Sequence, residues 1–141
     1  MLVRTCLEIA RLPARQVNLE IVFYMKQWNY RKGQKGEEMA REYLEKKGFG
    51  LIMSNYVCKI GQIDLVMEDE GWLVFVEVKF KSDDLFGTPE EMFGKSKLAQ
   101  VKRVATWFLM EKREVKKRFE KYRIDAVCIL GDEIRYYRNV Y

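Results

Sequence analysis

Three side chains near the middle of the chain, Asp64, Glu77 and Lys79, have the types and spacing for phosphate chemistry. They lie on two strand-like runs, Ile60 to Glu68 and Trp72 to Phe80, on either side of Glu70-Gly71. If those two residues form a tight loop, Asp69 faces Trp72, and Ile63, Leu65 and Met67 face Val78, Val76 and Val74, so one face is wholly apolar. A slip by one residue would turn every side chain to the other face. The pattern therefore fixes the register, although Glu-Gly is not a strong hairpin dipeptide. The same register sets Asp64 against Glu77 and Gln62 against Lys79 on the second face. Opposed carboxylates, roughly 4.5–5.5 Å apart at Cβ, repel each other, and a divalent cation offsets that repulsion. All-oxygen ligation selects magnesium, manganese or calcium over zinc or copper. Lys79 projects from the same face as Glu77, where its ammonium can hold a water or a phosphate beside the metal.

Glu37 adds a fourth group. It continues the helical stripe of Ala40 and Leu44, and a carboxylate aimed at a core is costly unless it meets a cation. Glu38 instead shares its face with Glu42 and Glu45 and reads as solvated. Glu77-Val78-Lys79 alone would read as outward charges on a half-solvated sheet; the opposed Asp64 and the misplaced Glu37 overturn that reading.

Composition narrows the chemistry further. The 141 residues include no histidine, which excludes a Ser-His-Asp triad, a Cys-His pair and a His-ligated zinc site. The three cysteines, Cys6, Cys58 and Cys128, are far apart and show no CxxC spacing. They form neither a disulfide framework nor a zinc knuckle; Cys58 and Cys128 read as buried thiols in a reducing cytoplasm. A net charge of +5 attracts phosphate polyanions. No apolar run is long enough to span a bilayer, and Arg4 and Glu8 break any secretory signal, so no membrane partner is expected.

The elements that must position these groups can be read in order. Residues 1–32 read as an N-terminal extension, disordered or upstream of a true start at Met25, and 33–141 as the domain. Val17 to Tyr24 suits a strand or a helix. A helix over 34–48 carries Ala40, Tyr43, Leu44 and Lys47 on one face and stops at Gly48, with Phe49 folding back. A strand over 50–58 and the two hairpin strands follow. Thr88 can cap a short helix that has Pro89 at its first position and Glu91 completing a capping box. The main helix, about Ser96 to Arg113, has the stripe Leu98, Val101, Ala105, Phe108 and Leu109. The charged run from Glu111 to Lys121 reads as a solvated helix end. Tyr122 to Leu130 is a fourth strand and Ile134 to Tyr137 an edge strand. Short links between the first three strands predict an antiparallel meander, and the long helix predicts a parallel crossover to the fourth.

Asp64 followed by Glu77-Val78-Lys79 resembles the PD-(D/E)XK nuclease superfamily. More closely, the chain resembles the YraN family of small bacterial proteins, related by fold to Holliday-junction resolvases. The matching stretches are Gly36-Glu37 with Ala40 and Tyr43-Leu44, Gly61-Gln62-Ile63-Asp64-Leu65, Phe75-Val76-Glu77-Val78-Lys79, Ser96-Lys97 and Arg123-Ile124-Asp125-Ala126-Val127. Gln62 stands where that family usually has glutamate, and Phe80-Lys81 where it has Thr-Arg. The resemblance implies an α/β (α+β) restriction-endonuclease-like fold, a mixed central sheet flanked by helices in the order αβββαββ. It implies a metal-dependent endonuclease hydrolysing phosphodiester bonds of DNA, branched or damaged DNA among them, with Mg2+ (or Mn2+) as cofactor. Asp64 and Glu77 would hold the metal, and Glu37 would complete its shell directly or through water. Lys79 would orient the attacking water or stabilise the transition state, and the resolvase likeness implies a homodimer by analogy.

Other residues stay open between two roles. Lys95, Lys97, Lys102 and Arg103 can contact phosphate or line a solvated helix face. Arg123 and Asp125 can brace the site with Gln62, but read first as a structural ion pair. Trp72, Trp107 and Phe108 read as core rather than base-stacking platforms. Two other functions fit the same scaffold: a nucleic-acid-binding module without catalysis, and a protein-interaction module.

Overall fold

The computed structural model describes residues 14–81 and 89–140, with side chains over 26–27, 30–81 and 91–140. By packing, the chain divides into Met1–Gln34 and Lys35–Tyr141, and the sheet belongs to the second unit. Helix α1 spans Ala14–Lys46. The backbone is thus helical across 17–24, where the sequence left strand and helix open, and continues through Gly33 and Gly36 into the helix predicted from residue 34. Among the described residues no helix is long and apolar enough to cross a membrane.

The end of α1 follows from its sequence. Gly48 takes φ 98°, a conformation that costs a residue with a Cβ. Phe49 N–H donates to the Leu44 carbonyl (3.1 Å) and Gly48 N–H to that of Glu45 (3.0 Å), the paired bonds of a Schellman stop. Ala40, Leu44 and Phe49 are buried as the stripe predicted, whereas Lys47 is exposed. Gly48→Ala is expected to destabilise the fold by about 1–2 kcal/mol through the left-handed backbone. Urea denaturation checks this, and an unchanged midpoint would count against the assignment.

Five strands follow: β1 Gly50–Cys58, β2 Gly61–Asp69, β3 Trp72–Lys81, β4 Lys121–Leu130 and β5 Glu133–Tyr137. They form one sheet in the order β1-β2-β3-β4-β5. Only the β3–β4 pairing is parallel; the other three are antiparallel. Helices α2 Pro89–Phe93, α3 Lys95–Glu111 and α4 Arg113–Lys116 lie between β3 and β4. This is the mixed α/β order expected of a restriction-endonuclease-like fold. Thr88, the expected cap of α2, lies outside the described residues. Helix α3 ends at Glu111, short of the predicted Arg113, and α4 buries none of its residues.

Each sheet face has its own core. Helix α3 lays Val101, Val104, Ala105 and Phe108 on Ile63, Val66, Leu73, Phe75 and Tyr56. Phe108 sits at the centre, edge-on to Tyr56 (4.9 Å) and Phe75 (5.4 Å), a geometry aromatic rings favour. Trp107 is half-buried against this core, with Lys59 over its ring. The other face packs Ala40, Leu44 and Phe49 on Leu65, Met67, Val74, Val76, Val127 and Ile129. The β1–β2 turn lies close against α3: a Cβ on Gly61 would come within 3.0 Å of Val104. Cys128 is buried as expected, but Cys58 is only partly so.

Candidate active site

The β2–β3 hairpin forms in the predicted register. Asp69 pairs with Trp72, Met67 with Val74 and Leu65 with Val76. Glu70 and Gly71 take φ 47° and 80°, the positive values that a type I′ turn requires. The paired ladder then ends at Leu65–Val76, and the expected pairs Ile63–Val78, Asp64–Glu77 and Gln62–Lys79 are not part of it. In their place the Asp64 side chain bonds the β3 backbone, its Oδ2 accepting from Val78 N–H at 2.8 Å.

The cause lies at the level of Asp64. Across the β1–β2 ladder, Tyr56 pairs with Ile63 and Ser54 with Leu65, but Asn55 and Asp64 do not pair, and Asn55 takes φ 52°. Asparagine is among the few side chains that tolerate that conformation. The strand alternation changes phase here. Ile63 packs under α3, while Leu65 and Met67 pack under α1. The single apolar face predicted to include Ile63 is therefore interrupted at Asp64.

Three carboxylates come together around this break. Asp64 and Glu77 are each only 5% exposed, so neither is an outward strand charge. Burial raises the Asp64 carboxyl above its usual range, opposed by the Val78 N–H and the Lys97 ammonium. Burial, and then the Asp64 charge, push Glu77 from 4.5 up to about 7, with Glu37 adding to the rise. Glu37 is raised by burial and by Asp64, and a hydrogen bond from the Asn55 side chain opposes the rise. Like charges thus crowd a low-dielectric space. Among the described residues, however, no three acidic, histidine or cysteine side chains converge closely enough to hold a metal as they stand.

The cations around these acids are placed differently from the sequence reading. Lys79 shares the Glu77 face of β3, and its ammonium donates to the Met92 carbonyl and lies 5.8 Å from the Phe93 ring centre. Lys97, expected to contact phosphate, sits 2.9 Å from Glu77 Oε1. The second oxygen, Glu77 Oε2, is buried without a hydrogen-bond partner. Gln62 is exposed, with its amide 3.5 Å from Asp64 Oδ1. Lys95, Lys102 and Arg103 are exposed on α3.

Arg123 and Asp125 do not brace the site; they face the other core. The parallel register sets Glu77 beside Ala126 and Val76 beside Asp125, so Asp125 shares the α1 side with Val127. There its two oxygens share the Arg123 Nε–H (3.0 Å each), and Oδ2 accepts from Tyr136 OH (2.6 Å). The Asn139 N–H adds a bond at 2.8 Å, and the Arg123 guanidinium lies between the Phe49 and Trp72 rings. Asn55, the Met92 carbonyl and the Lys97–Glu77 pair were missed as parts of the site. Only Asn55 left a signal, an asparagine in the middle of an otherwise strand-forming run.

The raised carboxyl has a consequence for stability. In the absence of metal, folded Glu77 keeps its proton up to about pH 7, whereas the unfolded chain releases it near the ordinary 4.5. Stability from this group is full below about pH 4.5 and is lost as pH rises to 7. At 1.36 kcal/mol per pH unit, the interval corresponds to about 3 kcal/mol. Metal-free Glu77→Gln is therefore expected to exceed wild type in stability at pH 8 by about 2–3 kcal/mol, with a flatter pH dependence. Guanidinium denaturation at pH 5 and pH 8 reads both; parallel curves for the two proteins would contradict it.

Comparison with known proteins adds the family. The model of the uncharacterised protein family UPF0102 matches residues 36–129. A UPF0102 protein of Carboxydothermus hydrogenoformans is 44% identical over 79 residues, 56% of this chain and 67% of that protein. One of Persephonella marina is 33% identical over 110 residues, covering 78% and 92%. One of Natranaerobius thermophilus is 40% identical over 107 residues, covering 74% and 87%.

Proposed function

The chain belongs to the UPF0102 family, also called the YraN family, and on that footing we propose that it is a metal-dependent endonuclease that hydrolyses phosphodiester bonds of DNA. The observation that carries this reading is the orphaned Glu77 Oε2 beside buried Asp64. A buried acceptor without a partner is costly, and the charge of Asp64, which adds to the rise of the Glu77 carboxyl, compounds the cost. A hard divalent cation, magnesium or manganese, fits that donor set. Asp64 and Glu77 would hold it, with Glu37 acting through water. When bound it supplies Lewis acidity and a more acidic water.

The rest of the chemistry falls to the chain's own side chains. An ammonium has three donors. Lys79 gives one to Met92, and the remaining two are available to steady a phosphate oxygen as charge develops. Lys95, Lys102 and Arg103 on α3 supply positive charge for the DNA backbone.

The test is a cleavage assay of the full chain on duplex, single-stranded and branched DNA, with Mg2+ or Mn2+ and with chelator. Cut products only in the presence of the metal are expected. Salt-sensitive binding without cutting would favour a non-catalytic nucleic-acid-binding module. Neither binding nor cutting would favour a protein-interaction module.

A further inference from the structure

We propose that Lys97 is the resident counter-ion of the Asp64–Glu77 pair, and that a divalent cation entering the site displaces its ammonium into solvent. The inference rests on the cation-binding reading above and goes beyond it, because it assigns a role to a lysine outside the Asp-Glu-Lys set.

Three observations carry it. Lys97 Nζ lies 2.9 Å from Glu77 Oε1, and its charge also acts on Asp64. One ammonium thus contacts Glu77 and lowers the electrostatic cost of the Asp64 charge as well. It satisfies only one oxygen of Glu77, because Oε2 remains buried without a partner. A cation accepting oxygens from both carboxylates relieves what a single ammonium leaves unmet. Lys97 is also able to leave: its side chain is 35% exposed while that of Glu77 is 7% exposed. It stands in the first turn of α3 behind Gly94, a turn that itself carries no acidic residue. The carboxylate is fixed in the core, and the ammonium is tethered at the surface by a flexible stem. An exchange of cations thus requires only rotation of a lysine side chain.

The exchange makes two linked predictions, since whatever binds in competition must weaken its rival reciprocally. Removing the competitor should tighten metal binding, and metal should liberate the competitor. In calorimetric titration of the full chain with Mn2+ at pH 8.5, Lys97→Met is expected to bind about two- to tenfold more tightly than wild type, as suits a partly exposed ion pair. In amine labelling read by mass spectrometry, saturating Mg2+ should raise the Lys97 acetylation rate several-fold. Glu77→Gln should show the raised rate without metal.

Equal Mn2+ affinity in wild type and Lys97→Met, or Lys97 labelling that ignores Mg2+ while wild type binds Mn2+, would overturn the exchange and leave the cation site standing. Wild type that binds no Mn2+ would overturn both. The comparison of labelling with and without Mg2+ uses wild-type protein alone, so a poorly folded variant cannot decide the outcome.

Discussion

Lys79→Ala is expected to slow metal-dependent DNA cleavage by about 10²–10³-fold, the range seen when one donor to developing charge is removed. Stability should change little. Lys79 lies near the end of β3, half-buried, and its ammonium reaches one backbone carbonyl and lies over the Phe93 ring rather than at the centre of either core. The loss should fall on the rate constant at saturating DNA rather than on binding, because a chain with 26 lysines and arginines would spread its phosphate contacts over many of them. Single-turnover cleavage under Mg2+ separates the two. A variant with full rate, or one whose only defect is weaker binding, would remove Lys79 from the chemistry.

The second large effect is one of stability. Asp125→Ala is expected to cost about 3–5 kcal/mol, the penalty for removing one partner of a buried ion pair. Asp125 is fully buried, and three donors converge on it: the Arg123 Nε–H, shared between its two oxygens, the Tyr136 hydroxyl and the Asn139 N–H. Its loss leaves the Tyr136 hydroxyl and the Asn139 N–H without their acceptor. It also leaves the Arg123 charge with Asp69 alone, at 2.7 Å. A domain of this size holds about 5–15 kcal/mol in total, so about a fifth of the margin or more would go. Asp125→Asn keeps the shape and part of the bonding and should cost less. Guanidinium denaturation reads both, and a loss under about 1 kcal/mol for alanine would contradict the network's role.

The sequence was informative where local physics decides. Gly48-Phe49 marks a helix stop whatever the rest of the fold does. The alternation of Leu65-Met67 against Val74-Val76 admits one register, and that register forms. Leu98, Val101, Ala105, Phe108 and Leu109 are all buried on α3. It was silent where the outcome depends on partners distant in the chain. The register between β3 and β4 decides that Asp125 falls beside Val76 rather than Glu77, and no local pattern encodes that parity. The Lys97–Glu77 contact joins a helix to a strand and has no spacing rule. The phase break at Asn55 and Asp64 defeats alternation, because a positive φ at Asn55 and an unpaired Asp64 change which face the following residues take.

The central claim is that Asp64 and Glu77 are held together for a hard cation. Calorimetric titration of wild type and Asp64→Asn with Mn2+ tests it most directly. One site is predicted in wild type, with a melting temperature that rises on binding, and neither is predicted in the variant. An unchanged isotherm in Asp64→Asn would place the ion elsewhere and contradict the account.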